Sequence, residues 1–201
     1  MKTRLIIVLA MLLPAMLAGC NVLSPVKNET TLELINKLPE NIPQQQAHDA
    51  TLLLLPPDTS TMYDTTQMAY TIKPYQIEYF SRHEWGATPA QMLLPLLDST
   101  LEGTHYFSAV LTPPYTGSCT YALRTQILEL VQDFSSEPAT LRLALRVELI
   151  DCKSNRLIAS RKISLSEPLQ EKTPYAGVVA ANDATAKALQ QIAGFVLEEM
   201  K

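Results

Sequence analysis

The chain has 201 residues, 47% hydrophobic and 18% charged, with 16 Lys+Arg against 20 Asp+Glu and a net charge of −4. Such an apolar share excludes a wholly disordered chain, and the length fits one domain with a tail. The acidic balance argues against nucleic-acid binding, which calls for a basic patch, and three cysteines are too few for a disulfide-rich miniprotein.

Lys2 and Arg4 precede an apolar run from Leu5 to Leu17 that is interrupted by Pro14. The run is too short for a bilayer span, which needs about 20 residues, but it has the layout of a secretory signal. Leu17-Ala18-Gly19-Cys20 resembles a bacterial lipobox. Residues 1–19 are therefore expected to be a lipoprotein signal peptide, with Cys20 acylated as the new N-terminus. Loss of Lys2 and Arg4 makes the mature chain more acidic. Each buried acyl CH₂ contributes about 0.8 kcal/mol to anchoring, so the lipid rather than a basic surface is expected to hold the membrane. Asn21, in place of Asp, resembles an outer-membrane sorting signal, with inner-membrane anchoring as the alternative.

Residues 20–49 read as a lipidated N-terminus and flexible tether. Pro25, Pro39, Pro43 and the Gln44-Gln45-Gln46 run support this, with a short helix expected at Thr31 to Leu38. The folded domain is expected over residues 50–201. Thr51 to Leu55 is a short apolar strand ended by Pro56-Pro57. Gln67 to Ile72 is a second strand, stopped by Lys73-Pro74, and Gln76 to Phe80 fits strand or helix. Thr88 and Pro89 open a helix as N-cap and first residue. Met92, Leu93, Leu96, Leu97 and Leu101 form its apolar face; Pro95 interrupts it and Gly103 is its expected stop. Tyr106 to Leu111 is the next strand.

Tyr121 to Phe134 and Thr140 to Ile150 are long strands around Ser135-Ser136-Glu137-Pro138, and Arg156 to Ser166 follows as a third. In the second, Leu141, Leu143, Leu145, Val147 and Leu149 alternate with Arg142, Ala144, Arg146 and Glu148, the period of a half-buried antiparallel strand. Gly177 to Met200 reads as the closing helix. The expected fold is α+β: a mixed, largely antiparallel sheet with two main helices on one face.

Hairpin register brings Cys119 and Cys152 together. A two-residue loop pairs positions whose numbers add to 271 and sets the cysteines opposite one another. A four-residue loop pairs positions adding to 273 and makes them diagonal neighbours. An exported chain meets oxidising conditions, so a structural disulfide is expected; free thiols, or a bulge that parts them, are the alternatives.

Catalytic signatures are missing from the sequence. It has no phosphate-binding Gly-x-x-x-x-Gly-Lys-Ser/Thr loop, no Gly-x-Ser-x-Gly elbow and no His-Glu-x-x-His. His48, His83 and His105 are far apart, and Cys119 and Cys152 lack zinc-type spacing. No enzyme activity, metal or cofactor is expected. Trp85, the sole tryptophan, either packs over the helix entrance or, with Tyr79 and Phe80, meets a partner.

Tyr63-Asp64-Thr65-Thr66-Gln67-Met68-Ala69-Tyr70, Lys73-Pro74-Tyr75-Gln76, Tyr79-Phe80, Trp85 and Pro89-Ala90-Gln91-Met92-Leu93 resemble the front half of the ABC-type transport auxiliary lipoprotein family, the PqiC/YmbA-like group. Tyr121-Ala122-Leu123, Gln132-Asp133-Phe134, Arg156-Leu157-Ile158-Ala159-Ser160 and Gly177-Val178-Val179-Ala180-Ala181-Asn182 continue the resemblance to Met200. Pro95 and the cysteine pair depart from it. The resemblance implies a non-enzymatic accessory to an intermembrane lipid transporter. Its partners would be an ABC ATPase and permease and an MCE-type (mammalian cell entry) protein spanning the periplasm, docked by this lipoprotein at the outer membrane. It also implies self-association into a homo-oligomer. An envelope assembly factor, such as an activator of a cell-wall synthase, is the competing reading; a periplasmic hydrolase is a third.

Overall fold

A computed structural model describes residues 29–200. The expected signal peptide, Cys20 and Asn21 lie outside the described residues. In chain order the elements are β1 (Thr31–Glu33), β2 (His48–Leu54), β3 (Asp58–Thr59), β4 (Gln67–Thr71), β5 (Glu78–Trp85), α1 (Pro89–Glu102), β6 (Phe107–Leu111), β7 (Tyr121–Asp133), β8 (Thr140–Asp151), β9 (Arg156–Pro168) and α2 (Pro174–Glu199).

β7 is the spine of the mixed sheet. Along one edge it pairs antiparallel with β8, which pairs antiparallel with β9. Along the other edge three parallel strands take successive stretches: β2 on Tyr121–Leu123, β3 on Gln126–Ile127 and β4 on Gln132–Asp133. β6 extends the sheet beyond β2; β5 and then β1 extend it beyond β4. The parallel pairs are short and the β7–β8–β9 ladders long, so the sheet is largely antiparallel.

Both helices cover one face. Pro89 and Leu93 of α1 and Thr185 of α2 converge on Ile127, Leu130, Leu143 and Leu145 of the sheet. The core continues through Leu52, Met68, Leu97, Leu189, Ile192 and Phe195, each almost fully shielded. α1 forms the expected way. Thr88 Oγ1 accepts from the Gln91 N–H (3.4 Å) and the Gln91 side chain accepts from the Thr88 N–H (3.1 Å), closing a capping box. Pro95 is exposed, so the carbonyl it leaves without an N–H partner can turn to water. α2 starts before Gly177, because Thr173 caps the Ala176 N–H and Pro174 occupies the first position. Gly177 instead marks a close approach: a Cβ there would lie 1.9 Å from Gln132 Cδ.

The hairpin register follows the four-residue-loop expectation near the loop and departs from both expectations beyond a bulge. Near the loop, paired numbers add to 273, from Asp133↔Thr140 to Glu129↔Ala144; beyond a bulge at Leu128 they add to 272. The bulge keeps both halves of β7 in phase with β8. Leu123, Thr125 and Ile127 are buried before it and Leu130 and Gln132 after it, opposite Leu149, Val147, Leu145, Leu143 and Leu141.

The stretch expected as a tether and short helix is corrected from Thr31 onward. Thr31–Glu33 is a strand paired with His83–Trp85, and Ile35 is buried in the core at 7% exposure. Asn182 of α2 holds the following turn. Its side-chain oxygen accepts from the Asn36 and Lys37 N–H groups (2.9 and 3.0 Å) and its nitrogen donates to the Leu34 carbonyl (2.9 Å). Ile42 reaches Gly103, where an added Cβ would come within 2.8 Å of it. The fold therefore takes in the strap before Ala50, held by pairing with β5, by Ile35 and Ile42 and by the Asn182 amide rather than by a periodic apolar run.

Candidate functional site

The sheet face away from the helices carries a charged cluster next to the buried Val131, Ala144 and Tyr63. Arg142 reaches Asp133 (2.5 Å) and Glu129 (2.9 Å). Burial opposes ionisation of Asp133, but the Ser135 hydroxyl and backbone N–H, with Arg142 and the Ser136 backbone, outweigh it and hold the carboxyl below its ordinary range. Tyr63 lies beside Glu129 and Arg142, and burial pushes its phenol up. Further along β7 and β8, Asp58, Arg124, Gln126, Arg146 and Glu148 line a shallow polar groove of about 380 Å³, with Arg124 paired to Glu148 at 3.2 Å. Arg146 Nη1 donates to the Gln126 side-chain oxygen at 3.4 Å.

Of the residues singled out in the sequence, Trp85 is buried at 3% exposure within the core. The partner-contact expectation for Trp85 is thereby corrected: its ring is enclosed at the entrance to α1 and has no face to offer. Tyr79 and Phe80 are partly buried against the core. The Tyr79 hydroxyl donates to the Met62 carbonyl (3.1 Å). Phe80 stacks on Tyr70 at 4.4 Å and meets Phe134 edge-on at 6.3 Å. Cys119 and Cys152 are joined by a disulfide, with Cα atoms 5.8 Å apart; the Cys152 N–H bonds the Thr120 carbonyl just beyond the hairpin's last pair.

The histidines are dispersed. His83 Nδ1 lies 3.2 Å from Glu33 Oε1, His48 stacks on Tyr106, and His105 takes a left-handed backbone at the end of α1. Among the described residues no group of three or more His, Cys, Asp or Glu gathers to hold a metal. Between the helices and the sheet, the gap lined by Ile35, Leu93, Ile127 and Leu143 is only about 10 Å³. That is at most the space of one water and far too small for an acyl chain.

A groove of about 590 Å³ runs between the β1 strap and the start of α2. Sequence reading missed it. Leu32 and Leu34 lay in the presumed tether, and the one signal was Asn182, a weak helix former inside an Ala-rich helix.

The family model described as "ABC-type transport auxiliary lipoprotein component" matches residues 33–193, from the end of β1 through most of α2. The chain belongs to this family. The match begins inside the strap, in agreement with its place in the fold. Among solved structures, protein XCC0632 of Xanthomonas campestris, assigned to the DUF330 family model, superposes with a TM-score of 0.73 at 17% identity, over 85% of this chain and 95% of that one. An uncharacterized protein superposes at 0.62 with 12% identity, over 80% and 99%. At these identities the likeness shows the fold alone. The comparison with curated proteins found no match. The family is an auxiliary transport component rather than a catalytic one. Membership fits a lipid-anchored periplasmic domain, and no helix among the described residues is long and apolar enough to cross a membrane.

Proposed function

We propose that this auxiliary lipoprotein is a non-enzymatic docking component of an ABC-type intermembrane lipid transporter. In this reading residues 1–19 are removed, acylated Cys20 anchors the chain in the outer membrane, and the domain receives the far end of an MCE-type protein. The ATPase and permease of the same system act at the inner membrane. The observation that carries the proposal is the family match over residues 33–193. Two features agree with it. The gap between the helices and the sheet is too small to hold an acyl chain. The charged cluster around Arg142, together with Tyr79 and Phe80 near it, is the surface proposed to meet a partner.

Genetic epistasis tests this role. Deleting the gene should weaken the envelope to the same degree as deleting the MCE, permease or ATPase gene, and double deletions should add nothing. Independent, multiplying defects would favour the envelope-assembly reading instead.

A further inference from the structure

Several of the large apolar side chains that the domain leaves exposed converge on one place. Leu32 is 63% exposed, Leu34 53%, Tyr175 62% and Val179 43%, and all four line the groove between β1 and the start of α2. Leu38, 42% exposed, continues the patch along the strap. Clustered apolar exposure of this kind marks a surface that is covered in use, whereas scattered exposed leucines need no explanation.

Polar side chains rim the groove. Lys37 Nζ pairs with Asp183 at 2.7 Å, and the Asn182 amide is spent on the strap backbone and the Val178 carbonyl. Glu33, which also lines the groove, is buried beside His83 Nδ1 at 3.2 Å, so the patch presents apolar surface and a tyrosine beside a paired Lys37–Asp183 rim. Leu and Val suit the acyl boundary of a bilayer, and Tyr suits its headgroup level. The chain's own route names the occupant. Leu32 lies only twelve positions after Cys20, so even fully extended the connecting chain spans about 40 Å. The chain enters the domain through this patch.

On the reading that Cys20 is acylated, the geometry points to the Leu32/Leu34/Tyr175/Val179 face as the surface that seats on the membrane, resting in the interfacial zone of the leaflet that holds the anchor. The occupant is a lipid surface recognised by apolar burial, so seating should persist at high salt. It also sets the orientation of the domain. β1 lies at one end of the β1-β5-β4-β7 strand path, and β9, beyond β8 on the other side of β7, then lies away from the membrane.

Site-directed labelling of the full acylated chain tests this. Leu32→Cys, Tyr175→Cys, Val179→Cys and, as control on β9, Ser160→Cys carry a nitroxide. Each is reconstituted into phosphatidylethanolamine/phosphatidylglycerol vesicles after its melting curve is shown to match the parent's. Collision with dissolved oxygen is compared with collision with a water-soluble nickel complex. The three patch positions should show nickel collisions several-fold below Ser160→Cys and raised oxygen collisions, unchanged in high salt. If the protein floats with the vesicles but the patch labels stay as nickel-accessible as Ser160→Cys, the seating is wrong and the lipid anchor stands. If it fails to float at all, both are wrong. Shelter that arises only on adding another envelope protein would make the patch a protein-docking face and overturn the proposal.

Discussion

At the scale of single residues, Gly177 and Asp133 show how local chemistry fixes this fold. Gly177 is needed for space: α2 lies so close to β7 that a Cβ would meet the buried Gln132 amide, whose Nε2 donates to the Pro174 carbonyl at 3.2 Å. Gly177→Ala gains about 1 kcal/mol of helix propensity, but overpacking costs about 1–3 kcal/mol, so net destabilisation is expected in urea melts. In a Gln132→Ala background the same substitution should become neutral or stabilising, because its obstacle is gone. Asp133 carries a pH signature. Its folded carboxyl titrates below the ordinary range, so its contribution is fully present above the unfolded value near pH 4 and is lost as pH falls through the folded value. Asp133→Asn should cost about 1–3 kcal/mol at neutral pH and flatten the fall in urea midpoint on acidification below about pH 4. An unchanged acid slope would show that Asp133 is not the group responsible.

At the scale of elements, the sequence was most readable where periodicity was long. β8's unbroken alternation shows its buried face, and Thr88-Pro89 locates the start of α1. Period alone could not reveal the bulge at Leu128, because an extra residue in β7 becomes visible only against its partner strand. A three-residue strand has no period, so β1 falls within the expected tether; it is held by pairing with β5 and, through the turn after it, by Asn182, 146 residues away from Asn36. Trp85 was legible as a helix-entrance residue; its burial decided between that and a partner contact. The cysteines sit where hairpin register brings them near, and the bond closes the open end of β7–β8 across 33 residues of sequence. Replacing both with serine should lower stability by about 3–4 kcal/mol, measured by denaturation under non-reducing conditions. A loss no greater in the parent on adding reductant than in the double variant would mean the bridge contributes little.

At the scale of the whole molecule, the architecture separates a helix-covered core from a charged cluster on the opposite sheet face and an apolar patch beside the chain's entry. This division suits a component that joins surfaces rather than one that transforms or carries a small molecule. The family could be read from the order and spacing of short segments along the chain, but the surfaces could not, because they assemble residues distant in sequence: Arg142 with Glu129 and Asp133, Leu32 with Val179. The direct measurement of the central claim is recovery of the partner. The tagged, acylated chain is extracted gently from the envelope and its companions are identified by mass spectrometry. The account predicts that an MCE-type protein is enriched with it, and that the permease and ATPase follow through that protein. Recovery of the tagged chain at full yield with no MCE-type protein would contradict it.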